Sequence, residues 1–146
     1  MTHPFIPLAD HFFVSPQITV ENIAAAKEAG TTLIINNRPD GEGPGQPSGD
    51  TIKAAATEAG IAYLALPVGP AGISLEMLDS LNEAIEANSG NIIAYCASGT
   101  RSAILRAFAL AKTGRNIDQL IEEAAAAGFD IAGQRPVMES LQQQSA

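Results

Sequence analysis

The sequence predicts an α/β fold, a mainly parallel sheet flanked by helices, and three observations carry that prediction. Short apolar runs rich in β-branched residues, such as TTLIIN (31–36) and NIIAYC (91–96), alternate with longer segments of helical spacing. Those longer segments close on glycine, at Gly30, Gly60, Gly114 and Gly128, as helices do where the chain leaves them. A content of 46% hydrophobic residues in 146 positions suits one core, so a single domain over 1–146 is expected.

FFVS (12–15) is the first expected strand, and VENIAAAKEAG (20–30) the helix after it. TTLIIN has the composition of a buried strand, DTIKAAATEAG (50–60) repeats the pattern of helix then glycine, and IAYLALPV (61–68) is a third strand. After the turn GPAG (69–72), Ser74 can cap a helix that carries Leu75, Leu78, Leu81 and Ile85 on one face. NIIAYC is the fourth strand, and Ile104, Leu105, Phe108 and Ala109 mark the buried face of a helix from Arg101 to about Thr113. IDQLIEEAAAAG (117–128) and RPVMESLQQQ (135–144), with Pro136 in its first turn, read as further helices. Phe12, Phe13, Phe108 and Phe129 are assigned to the core. NRPDGEGPGQPSG (37–49) is the longest irregular stretch, expected as a flexible loop of the kind that often carries function.

A formal charge of −8 opposes attraction to nucleic acid or to an anionic membrane, so neither is expected as a partner. No apolar run approaches the roughly 20 residues that span a bilayer, and no basic segment precedes an apolar one at the start; a cytoplasmic location is the expectation. Cys96 is the only cysteine, which rules out an internal disulfide and leaves a thiolate zinc site without companions. No metal or other cofactor is expected. His3 and His11 are read as surface residues, and Asp79, Glu83 and Glu86 as a solvated helix face.

The chemistry concentrates in YCASGTRS (95–102). A turn from strand to helix at the carboxyl edge of a parallel sheet aims backbone N–H groups and a helix dipole into one concavity, which binds an anion. A thiolate is such an anion, so Cys96 is expected to be ionised and nucleophilic. Ala97, Ser98, Gly99, Thr100 and Arg101 form the expected oxyanion cradle: Gly99 permits close backbone approach, and Arg101 offers a planar fork to two oxygens. Ser102 is expected to donate to the sulfur. A buried cysteine at a strand end is more often a packing residue, but packing alone has no use for the glycine, arginine and hydroxyls beside it.

Gln17, NNRPDGE (36–42), LPV (66–68) and YCASGTRS together resemble the phosphatase-like domain of beta-lactamase-hydrolase-like proteins, over roughly Phe13 to Leu110. This is a bacterial family of protein-tyrosine-phosphatase-like fold, also labelled sulfur transferase. The resemblance implies a fold like that of dual-specificity phosphatases, a cysteine enzyme, and a persulfide-handling partner enzyme. Two departures bear on the chemistry. The loop has one residue fewer between Cys96 and Arg101 than cysteine phosphatases, and its form is similar to the active-site loop of rhodanese sulfurtransferases. The acid that dual-specificity phosphatases carry after the LPV strand is missing, since residues 69–72 read Gly-Pro-Ala-Gly.

Three functions remain open on this reading. Sulfur transfer from thiosulfate or a small persulfide through a Cys96 persulfide is placed first, because its leaving group needs little protonation. Hydrolysis of small phosphate monoesters through a phosphocysteine needs an acid from elsewhere, for which Asp40 is the first candidate and Glu42 the second; alternatively Arg38 pairs with Asp40 to order its loop. A non-catalytic module that senses an oxyanion or sulfide is the third. The expected ligand in each case is a small oxyanion or thiol.

Overall fold

The computed structural model describes residues 3–144; the other positions of the expected 1–146 domain lie outside the described residues. In chain order come β1 (Ile6–Ala9), β2 (Phe12–Ser15), α1 (Asn22–Glu28), β3 (Thr31–Asn36), α2 (Gly49–Glu58) and β4 (Ala62–Ala65). They are followed by α3 (Leu75–Ala87), β5 (Asn91–Tyr95), α4 (Thr100–Lys112), α5 (Ile117–Ala126) and α6 (Arg135–Gln144). The sheet order is β1-β2-β5-β3-β4, parallel except where β1 runs antiparallel to β2. This is the architecture that the sequence predicts.

Alternation along the strands divides the core between two layers. Leu33, Ile35, Ile92 and Ala94 pack with Leu78, Leu81, Leu105, Leu120 and Met138 from α3 to α6. Ile34, Ile93 and Tyr95 turn the other way, onto Ile23 and Ala26 of α1 and Ile52 and Ala56 of α2. Helices thus cover both faces, which is why the central strands read as unbroken apolar runs. The central strand β5 ends between β2 and β3, so the residue that follows it, Cys96, enters the crevice at the carboxyl edge.

Three expectations need correction. β1 is a strand that the sequence reading lacks, because Pro4 and Pro7 interrupt its short run; an edge strand tolerates Pro7, whose missing N–H breaks no central ladder. Leu75 does not join Leu78 and Leu81 in the core: it is the first residue of α3 and is 48% exposed. Phe13 and Phe129 are only partly buried, and Phe129 is held against the active loop. No helix among the described residues is long and apolar enough to cross a membrane.

Candidate active site

Cys96 is tied to the sheet edge by its N–H, which donates to the Ser15 carbonyl at 3.2 Å. The chain then turns into α4 through Gly99, whose φ of +95° lies in the left-handed region. Gly99 is required twice over: a side chain there would be strained, and its Cβ would stand 3.2 Å from the Phe129 ring. The turn brings the Gly99 N–H to 3.0 Å from the Cys96 sulfur. Burial pushes the thiol pKa up, but N–H groups of Ser102, Ser98, Gly99 and Arg101 aimed at the sulfur outweigh it, leaving the pKa below its ordinary 9.0. Ala97, Ser98 and Thr100 are exposed at the rim, where the Ser98 hydroxyl donates to Thr100 Oγ1 at 3.0 Å.

Cys96 itself is fully buried. What distinguishes it from a packing cysteine is Arg101, whose side chain is 27% exposed, is tied back to Val68 and Glu42, and acts on the thiol through its charge. Its Nη1 donates to the Val68 carbonyl at 2.9 Å and to Glu42 Oε2 at 2.7 Å, and its Nη2 donates to Glu42 Oε1 at 2.8 Å. Of the guanidinium donors, Nε–H and one Nη2–H remain uncommitted to these partners. A carboxylate therefore occupies the outer edge of the fork, while the other edge is left for the loop. Glu42 is held in turn by Arg38, whose Nε donates to it at 3.0 Å and whose Nη1 donates to Gln17 at 3.1 Å.

This network lowers the Glu42 pKa from 4.5 to about 2, chiefly through the Arg101 hydrogen bond. Because the folded pKa is the lower one, the stabilisation from this pair is fully present above pH 4.5 and is lost as the pH falls toward 2.

The two acids proposed from sequence each have a partner, Glu42 in Arg101 and Asp40 in Gly49. Asp40 Oδ1 accepts from the Gly49 N–H at 2.8 Å and closes the 37–49 segment onto the start of α2. Arg38 pairs with Glu42 and not with Asp40, since the turn through Gly41 brings Glu42 back one helical-turn spacing away. Gln46 laces the same segment, accepting from the Glu42 and Gly43 N–H groups and donating to the Pro39 carbonyl. The Ser102 hydroxyl, expected at the sulfur, donates instead to Asn37 Oδ1 at 2.7 Å; the Ser102 backbone N–H is what faces the thiol.

Asn37 was missed by the sequence reading. It is fully buried, and every polar group it has is used: its N–H on the Tyr95 carbonyl, its carbonyl on the Val68 N–H, its side-chain amide on the Leu66 carbonyl and the Ser102 hydroxyl. One residue thus joins β3, β5, the LPV segment and α4 beneath the site. The available signal was an asparagine pair directly after an apolar strand. Asn37→Ala leaves the Leu66 carbonyl and the Ser102 hydroxyl buried without this partner, so stability should fall by about 1–3 kcal/mol, read as a lower urea midpoint at unchanged slope.

A parallel sheet whose central strand delivers a cysteine to a glycine-hinged, arginine-bearing turn defines the class: a protein-tyrosine-phosphatase-like fold with a cysteine loop. Residues 5–115 match the family described as Beta-lactamase hydrolase-like protein, phosphatase-like domain, and the chain belongs to it. It is 33% identical over 127 residues to a beta-lactamase hydrolase-like protein of Xylella fastidiosa, and 30% identical to one of Agrobacterium fabrum. Each match covers 86% of this chain but only 30% of the relative, so the chain spans less than a third of those proteins. Among solved structures, a candidate phosphatase of Neisseria meningitidis superposes with a TM-score of 0.83 at 29% identity, over 96% of this chain and 99% of that one. Human DUSP28 shares the fold at a TM-score of 0.70 and 21% identity, over 99% and 96% of the two chains.

Proposed function

We propose that the protein transfers sulfur through a persulfide on Cys96. The observation that carries this reading is the state of Glu42: the carboxylate that meets the loop is ionised down to about pH 2 and clamped on Arg101, so it holds no proton to give at neutral pH. Asp40 is tied to Gly49, and residues 69–72 contain no acid. A phosphate ester hydrolysed here forgoes general acid catalysis, about 100- to 10,000-fold in rate. Thiosulfate imposes no such need. The Cys96 thiolate attacks its outer sulfur, the S–S bond breaks, and sulfite leaves with the electron pair while the new persulfide anion rests on the loop N–H groups. A thiolate acceptor then takes the terminal sulfur and restores Cys96.

With no second cysteine, the acceptor comes from outside the chain, as a small thiol or a persulfide-handling partner enzyme. A second reading, hydrolysis of small phosphate monoesters, is favoured by the phosphatase-like description of the family and the fold shared with phosphatases. Incubation with thiosulfate should add the mass of one sulfur atom to the intact protein and none to Cys96→Ser. Absence of that gain in folded wild-type protein, with a phosphocysteine trapped from a phosphate monoester, would replace the first reading by the second.

A further inference from the structure

At the carboxyl ends of β3 and β4 lies a cavity of about 360 Å³ that the mechanism above does not use. Its volume falls in the range of small-molecule sites. Asp40, Asp50, Lys53, Arg38 and Tyr63 line it, with Gly49 at the floor. Arg38 lines the cavity and also pairs with Glu42, which pairs with Arg101, so a chain of contacts links the cavity to the loop arginine.

Asp40, Asp50 and Lys53 enter no ion pair among the described residues, although they share one cavity. Asp40 has Oδ2 left over from its bond to Gly49, and Tyr63, whose oxygen accepts from Asn36 at 2.9 Å, still has its own proton to donate. A Cβ on Gly49 would stand 2.8 Å from the Tyr63 oxygen, so glycine keeps this floor open. Two carboxylates outside any ion pair, an ammonium and one phenol donor in one small cavity match a ligand that carries both charges. A simple anion would meet two carboxylates there, and a simple cation would meet Lys53 and Arg38.

We infer that this cavity binds the α-amino-acid head of the substrate, its ammonium toward Asp40 and Asp50 and its carboxylate toward Lys53 and the Tyr63 hydroxyl, while its sulfur points to the cysteine loop. This rests on the sulfur-transfer reading only for the direction in which the sulfur points. Adjacent strands are ~4.8 Å apart, so a head bound over β3 and β4 reaches the end of β5 through a short spacer.

The probe is L-methionine, an amino acid whose thioether does not react, titrated into isotope-labelled wild-type protein and followed by amide NMR. Saturable shifts should gather at Gly49, Asp50, Lys53 and Tyr63, and the amine and acid that lack one of the two charges should bind at least about tenfold more weakly. Lys53→Met and Asp50→Asn, both exposed positions, should each weaken methionine by about tenfold. Equal binding of all three probes, shifts elsewhere, or no binding would overturn the assignment. Thiosulfate loading of Cys96 is read in parallel. Loading without probe binding removes the head-group site alone, and probe binding without loading removes sulfur transfer and leaves the site standing.

Discussion

Cys96→Ser should abolish covalent turnover while leaving the fold in place, because serine fills the same space but its hydroxyl is far less acidic than a thiol whose pKa the loop N–H groups lower. The companion measurement is the thiolate absorbance of the wild-type protein against pH. Its rise should be centred below 9.0, since the loop N–H groups outweigh the burial that opposes ionisation. Sulfur acceptance should follow the same curve, increasing as the pH rises through that midpoint and level above it. A midpoint at or above 9.0 would make Cys96 a buried packing residue and remove it as the nucleophile.

The layers and the loop were legible for one reason: each is written in consecutive residues. TTLIIN and NIIAYC announce a sheet covered on both faces, and the spacing of Cys96, Gly99 and Arg101 announces a glycine-hinged turn where a strand meets a helix. What could not be read depends on residues far apart in sequence. Glu42 and Arg101 are separated by 59 positions and Asn37 and Ser102 by 65, and no periodicity links either pair. The choice between Asp40 and Glu42 was of this kind. Both lie in the same turn, and only the fold shows that one closes the turn while the other meets the arginine. The strand β1 failed differently, because a proline penalty that holds inside a sheet does not hold at its edge.

The Arg101–Glu42 contact has two physical meanings, and substitution separates them. If Glu42 fixes the guanidinium so that its inner edge meets the reacting group, removing the charge should loosen Arg101 and slow the reaction; if it merely competes with the ligand for the same donors, removing it should tighten binding. The geometry favours the first. Glu42 takes one N–H from each terminal nitrogen, the Val68 carbonyl takes another, and the donors that remain, Nε–H and one Nη2–H, form the edge left for the reacting group. Arg101→Lys should therefore lower kcat/KM by about 100- to 1,000-fold, since an ammonium can replace neither the fork nor its anchoring. Glu42→Gln should lower kcat by about tenfold with little change in KM, because the amide still touches Arg101 but one of its contacts becomes donor against donor. Between pH 5 and 8 the wild-type profile should carry no Glu42 inflection, the carboxyl titrating near 2. A Glu42→Gln enzyme with unchanged kcat and tighter thiosulfate binding would instead make Glu42 a competitor for the fork.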